Sequence, residues 1–219
     1  MPDRFEPRLE ILPAAQRELW NSLAPTIDMR LVLYGGTAIA LQLGHRHSID
    51  FDFFGAAALN KPALVKSMPF LDEAAVLQDE PNTLVVSASL PSGPVKLSFF
   101  GGLSIGRVGE PRETQDGVMV VASLLDLMVT KLKAILDRAE AKDYVDIAAL
   151  LRSGLSLTEG LAAFRTLFGG EPAVVLRAIG YFGDGDLSSV GQAERAVLRD
   201  ARDGVREIPD RRRLSDQLT

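Results

Sequence analysis

The segment from residue 31 to residue 54 constrains the fold more than any other. It opens with Leu31-Val32-Leu33-Tyr34, an apolar β-forming run, and stops at Gly35-Gly36. The stretch 37–43 (Thr-Ala-Ile-Ala-Leu-Gln-Leu) then reads as a helix, opened by a hydroxyl residue and closed by Gly44. Residues 48–54 alternate Ser48, Asp50 and Asp52 against Ile49, Phe51 and Phe53, the period-2 signature of a half-buried strand. The order strand, glycine turn, helix, strand predicts a sheet with a short helix packed on it. It also puts both aspartates on one face of one strand.

The flanking chain extends this pattern. Residues 13–23 carry Leu19, Trp20 and Leu23 at helical spacing, with Pro25 expected to end the helix. A helix is predicted at 61–67. Strands are predicted at 83–90 and 95–100, joined as a hairpin by Pro91-Ser92-Gly93-Pro94. Residues 101–117 read as loop and 118–121 as a last short strand. Ser123-Leu124-Leu125-Asp126 has the capping-box form that opens a helix, and Met128, Leu132, Ile135 and Leu136 continue its apolar stripe. A second helix is expected over 142–151, and 157–198 reads as helical with breaks at Gly169-Gly170 and Gly183-Asp184-Gly185. The charged residues 199–219 are expected to fray at the end. The prediction is an α+β protein: a mixed-sheet lobe with flanking helices over 1–121 and a helical lobe over 122–219 that closes a nucleotide cleft.

Composition closes several routes. With 219 residues and 47% hydrophobic content the chain has enough apolar material for a core. It has no cysteine, which removes disulfides, thiolate metal sites and thiol nucleophiles. No apolar run approaches the roughly 20 residues that span a bilayer, so no membrane partner and a cytoplasmic location are expected. The net charge of −5 argues against a broad basic surface for nucleic acid.

The glycine turn and the paired aspartates carry the chemistry. Glycines let backbone approach a phosphate closely, and the helix that follows offers N–H donors and a positive dipole end. Carboxylates at i and i+2 of one strand face can share a hard divalent cation such as magnesium, which in turn bridges to triphosphate oxygens. Taken singly, a Gly-Gly pair is more often a plain turn and alternate acids are more often a solvated face. Their juxtaposition within so few residues reverses that preference.

These residues also resemble a known family. Leu33-Tyr34-Gly35-Gly36-Thr37-Ala38, followed by Arg46, His47, Ser48 and Asp50-Phe51-Asp52-Phe53-Phe54, is similar to the first motif of the DNA polymerase beta-type nucleotidyltransferases, and within them to the AbiEii/AbiGii toxin family. A second match runs from Lys131-Leu132-Lys133 through Arg138 to Lys142-Asp143-Tyr144-Val145-Asp146 and is similar to that family's K…R…RDxxD helical motif. The resemblance implies that Gly35, Gly36 and Thr37 hold a nucleoside triphosphate and that Asp50 and Asp52 bind magnesium or manganese. It implies that Lys131 contacts phosphate, with Asp143 and Asp146 completing or bracing the site and Arg46 or His47 adding a phosphate contact. It further implies transfer of a nucleotide to an acceptor, transfer RNA 3′ ends in some members, and a cognate antitoxin.

The resemblance departs at one place. Many enzymes of this type carry a third carboxylate on a later strand, where this chain has Ser98. Ser98 supplies no negative charge, which opens a rival reading as a nucleotide-binding or regulatory protein that kept the fold and lost the chemistry. An enzyme of the same fold acting on a small molecule or a protein is a second rival. Elsewhere, His45 and His47 lack ligand spacing for zinc, Arg211-Arg212-Arg213 reads as solvated surface before it reads as an RNA guide, and Gly183-Asp184-Gly185-Asp186 reads as a turn.

Overall fold

A computed structural model describes residues 3–219. The chain divides into two units, one comprising 1–106, 110–123 and 216–219, the other 107–109 and 124–215.

The first unit is built on one mixed sheet of eight strands. In chain order these are β1 (Arg4–Phe5), β2 (Val32–Tyr34), β3 (Asp50–Phe54), β4 (Ala75–Glu80), β5 (Thr83–Leu90), β6 (Gly93–Phe100), β7 (Arg112–Thr114) and β8 (Val120–Val121). Their spatial order is β1-β7-β8-β2-β3-β6-β5-β4. β3 lies near the centre, antiparallel to β2 and parallel to β6. Over 50–54 its alternation is the one read from the sequence: Phe51 and Phe53 are fully buried, with Phe53 stacked on Phe99 at 5.4 Å, while Asp50 and Asp52 are half-buried. Ser48 and Ile49, expected to begin the strand, precede it, and there Ser48 is buried and Ile49 exposed. Helices α1 (Ala14–Leu19), α2 (Gly35–Leu43) and α3 (Lys61–Ser67) belong to the same unit. α2 ends at Gly44 in the left-handed conformation, φ 67°, as its glycine predicts.

The second unit is helical: α4 (Leu124–Asp137), α5 (Ala141–Arg152), α6 (Leu157–Phe168), α7 (Pro172–Ile179) and α8 (Gln192–Gly204). Apolar residues at helical spacing on α4, among them Met128, Leu132 and Ile135, are buried. Asp126 accepts from the backbone N–H groups of Val108 and Gly109 at 2.8 and 3.1 Å, which fastens residues 107–109 to α4. Asp186 accepts from the Ala141 N–H at 2.6 Å and so caps α5 from a distant turn.

Several expectations change. Pro25 does not end its helix but lies inside a 3-10 segment, Trp20–Thr26, where its missing N–H is tolerated at the tighter turn. Strands β1 and β4 fall in segments for which the sequence suggested no element, and β7 lies within the expected loop 101–117. The C-terminus is not frayed: Ser215 bridges to Arg107, and Leu218 is buried. Among the described residues no helix is long and apolar enough to cross a membrane.

Candidate active site

The carboxylates and the glycine turn meet because β2 and β3 are antiparallel neighbours. Tyr34, the last residue of β2, pairs with Asp52. The chain then turns into α2 through Gly35, whose φ of +74° suits glycine alone without strain. A Cβ at Gly35 would stand 2.6 Å from Asp52 Oδ2. The Asp52 carboxylate therefore lies directly against the glycine backbone, at the end of a helix whose first N–H groups have no intrahelical acceptor. Asp50 lies two residues earlier on the same strand face. On that face Tyr34 stacks on Phe54 at 4.6 Å, and Phe54 meets Phe100 edge-on at 5.5 Å.

The parallel register of β3 and β6 supplies the remaining neighbours. Asp50 is opposite Lys96, and Asp52 is opposite Ser98. Ser98 thus occupies the place from which a third carboxylate would face Asp52, and it is only 3% exposed. Lys96 is exposed on the carboxylate face, beside Asp50. The sequence reading passed over it, although the period-2 alternation of 95–100, aligned with that of 50–54, carries the signal. Among the described residues no three acidic or histidine side chains gather into a closed metal cage. Two carboxylates on one strand face are a donor set that suits a magnesium ion whose other ligands are water and substrate phosphate.

Thr37 follows the two glycines in the first turn of α2. Its side chain is buried, and its hydroxyl is bonded to Ser48 Oγ at 2.8 Å and to the Asp50 carbonyl. Only its backbone remains to face a phosphate. Arg46 gives one guanidinium nitrogen to the His47 carbonyl at 2.9 Å, and His47 Nδ1 lies 2.9 Å from the Ile11 carbonyl.

The second motif lies wholly in the helical unit. Lys131 of α4 is 5% exposed, with its ammonium 2.6 Å from Asp143 Oδ1 and 2.7 Å from Asp146 Oδ2. Asp143 and Asp146, at i and i+3 of α5, turn to the same side and are both fully buried. Arg138 closes on Asp143 through Nε to Oδ2 at 2.8 Å and Nη2 to Oδ1 at 3.2 Å. Burial pushes the Asp143 carboxyl up, but Arg138 and Lys131 together outweigh it and hold that carboxyl below its ordinary range. The cluster is a charge-balanced network in which Lys131 has two carboxylate partners.

Comparison with known proteins places this geometry. The family described as nucleotidyl transferase AbiEii toxin, type IV TA system, matches residues 19–214. The chain is 32% identical over 124 residues to an uncharacterised protein of Aquifex aeolicus (strain VF5), a match that takes in 55% of this chain and 57% of that protein. A crystal structure from H. pylori, of a protein with a provisional nucleotidyltransferase name, superposes with a TM-score of 0.55 at 21% identity. That likeness covers 86% of this chain and 90% of the other and concerns the fold. With both motifs inside the matched span, the chain belongs to the AbiEii nucleotidyl transferase toxin family of type IV toxin–antitoxin systems.

Proposed function

We propose that the protein transfers a nucleoside monophosphate from a nucleoside triphosphate to an acceptor, as the toxin of a two-component pair. The observation that carries this is the seating of the Asp52 carboxylate against Gly35, at the N-terminus of α2. Backbone N–H groups suited to donate to phosphate and a carboxylate suited to a metal lie there within one contact of each other. Asp50 and Asp52 would hold magnesium or manganese. The cation, when bound, offsets charge on the triphosphate and on the departing pyrophosphate.

The chain's own residues orient the substrate. Backbone N–H groups at Gly35 and Gly36 receive phosphate oxygens, and the dipole of α2 favours their charge. The acceptor hydroxyl oxygen bonds to the α-phosphorus as the bond from that phosphorus to the bridging oxygen breaks. Pyrophosphate leaves with that oxygen, and the hydroxyl proton passes to solvent. Lys96 stands on the carboxylate face as an additional cation for phosphate. In the helical unit Asp143, held by Arg138, orients Lys131, and Lys131 with Asp146 forms the functional pair of the second motif. RNA, with the transfer RNA 3′ end as the first choice, is the proposed acceptor.

One observation favours a second reading. Ser98 opposite Asp52 leaves the site one negative charge short of a three-carboxylate arrangement, which suits a protein that binds nucleotide without turnover. Incubation with each α-labelled triphosphate, magnesium, and total RNA and protein separates the two. Label on one acceptor, absent with Asp50→Ala or Asp52→Ala, is the expected result. Metal-dependent triphosphate binding with no labelled acceptor would overturn the transferase reading in favour of the binding protein.

A further inference from the structure

Among the described residues, the start of β3 has no strand partner on one side. β2 ends at Tyr34, opposite Asp52, so Asp50 lies beyond the last rung, level with chain that has already become α2. On its other side Asp50 pairs with Lys96. A strand end held on one edge alone is prone to local opening, and this one carries a carboxylate of the site.

Buried polar side chains fill the gap. The Asp50 carbonyl can only accept, so the single hydroxyl proton of Thr37 is donated to it, and Ser48 must donate to Thr37. Both hydroxyl residues are buried, Thr37 at 2% and Ser48 at 7% exposure. One residue along, the Ile49 carbonyl accepts from Gln16 Nε2 of α1 at 2.6 Å. Residues 48, 49 and 50 are thus each fastened by a side chain from a helix, in place of the absent strand.

We propose that Thr37 and Ser48 are positioning residues for Asp50. The relay from Ser48 through Thr37 to the Asp50 backbone holds the first turn of α2 and the start of β3 as one piece. It fixes the separation of the Asp50 and Asp52 carboxylates and their height above the glycine turn. The Thr37 hydroxyl acts on the metal site through backbone, not by touching triphosphate. This deepens the reading of Asp50 and Asp52 as metal ligands and depends on it.

The test is manganese binding to the full chain, followed by electron paramagnetic resonance without nucleotide, beside hydrogen exchange of the β3 amides. Thr37→Val keeps the shape and deletes the relay. It should weaken manganese binding about tenfold or more, as loss of an outer-sphere partner does, and speed exchange at the start of β3 while α5 is unchanged. Thr37→Ser keeps the donor and should bind within about twofold of wild type. A purely structural role would lower the melting temperature yet leave manganese affinity below that temperature unmoved, and that result overturns the proposal. If Thr37→Val does not fold, Ser48→Ala removes only the outer donor and should weaken binding about threefold; unchanged affinity there overturns the proposal equally. Wild-type protein with no manganese binding that Asp50→Asn abolishes would instead overturn the metal reading, and the relay's role with it.

Discussion

Gly35 shows how one residue can serve both backbone and chemistry. Its φ of +74° alone makes alanine there cost about 1–2 kcal/mol. The added methyl would also stand 2.6 Å from Asp52 Oδ2, so the carboxylate must move. Gly35→Ala is therefore expected to lower the urea midpoint and, beyond that, to weaken manganese binding more than the loss of stability explains. Equal manganese affinity in Gly35→Ala and wild type would separate Asp52 from the glycine turn. At this scale the paired aspartates were legible in the sequence, because alternation with Phe51 and Phe53 fixes a face without knowledge of partners, although the same alternation misplaced Ile49, which is exposed. The fate of the Thr37 hydroxyl was not. Whether a hydroxyl at a helix start points out to a ligand or in to a neighbouring strand depends on where residues 48–50 return, which is a tertiary fact.

Among the elements, α4 and α5 carry the buried ion cluster, and its energetics are asymmetric. Removing Lys131 leaves Asp146 and part of Asp143 in a dry interior, so Lys131→Met should destabilise the helical unit by about 3–5 kcal/mol, read from chemical denaturation. A loss below about 1 kcal/mol, the scale of exposed pairs, would contradict the burial of both carboxylates. The pH dependence follows from the same network. The Asp143 carboxyl is held below its ordinary value of 3.8 in the folded chain, since its two cations outweigh burial. Its contribution is therefore fully present above that value and is lost as pH falls through the lowered one. Asp143→Asn should flatten that part of the acid limb in a stability–pH profile, and an unchanged limb would mean the carboxyl is not held down. The helices were legible from their apolar periodicity, whereas β1, β4 and β7 were not. β4 is exposed along its whole length and β1 and β7 span two and three residues, so none of them presents the half-buried alternation that marks a strand.

Charge sets what the whole molecule can hold. With 24 basic against 29 acidic residues, the balance of charge argues against a broad cationic surface along a nucleic acid. Many of its cations are also already spent: Arg4 on Glu113, Lys61 on Asp79, Arg152 on Glu194, Arg165 on Asp210, and Lys131 and Arg138 on the buried aspartates. A transferase acting on RNA from such a chain must take its acceptor by the end, through a few phosphates, and draw most of its selectivity from the site. Each phosphate neutralised on a single strand contributes about −0.7 to the slope of log affinity against log salt, so three contacts give a slope of about −2. Acceptor affinity measured between low and physiological salt should follow that shallow line, and nucleotide affinity at the carboxylate site should depend far more on divalent cation than on monovalent salt. A slope steeper than about −5 would require more than about seven phosphate contacts. It would overturn end-on capture and point to a basic surface on the helical unit, with the arginines of α8 and Arg211-Arg212-Arg213 as its candidates.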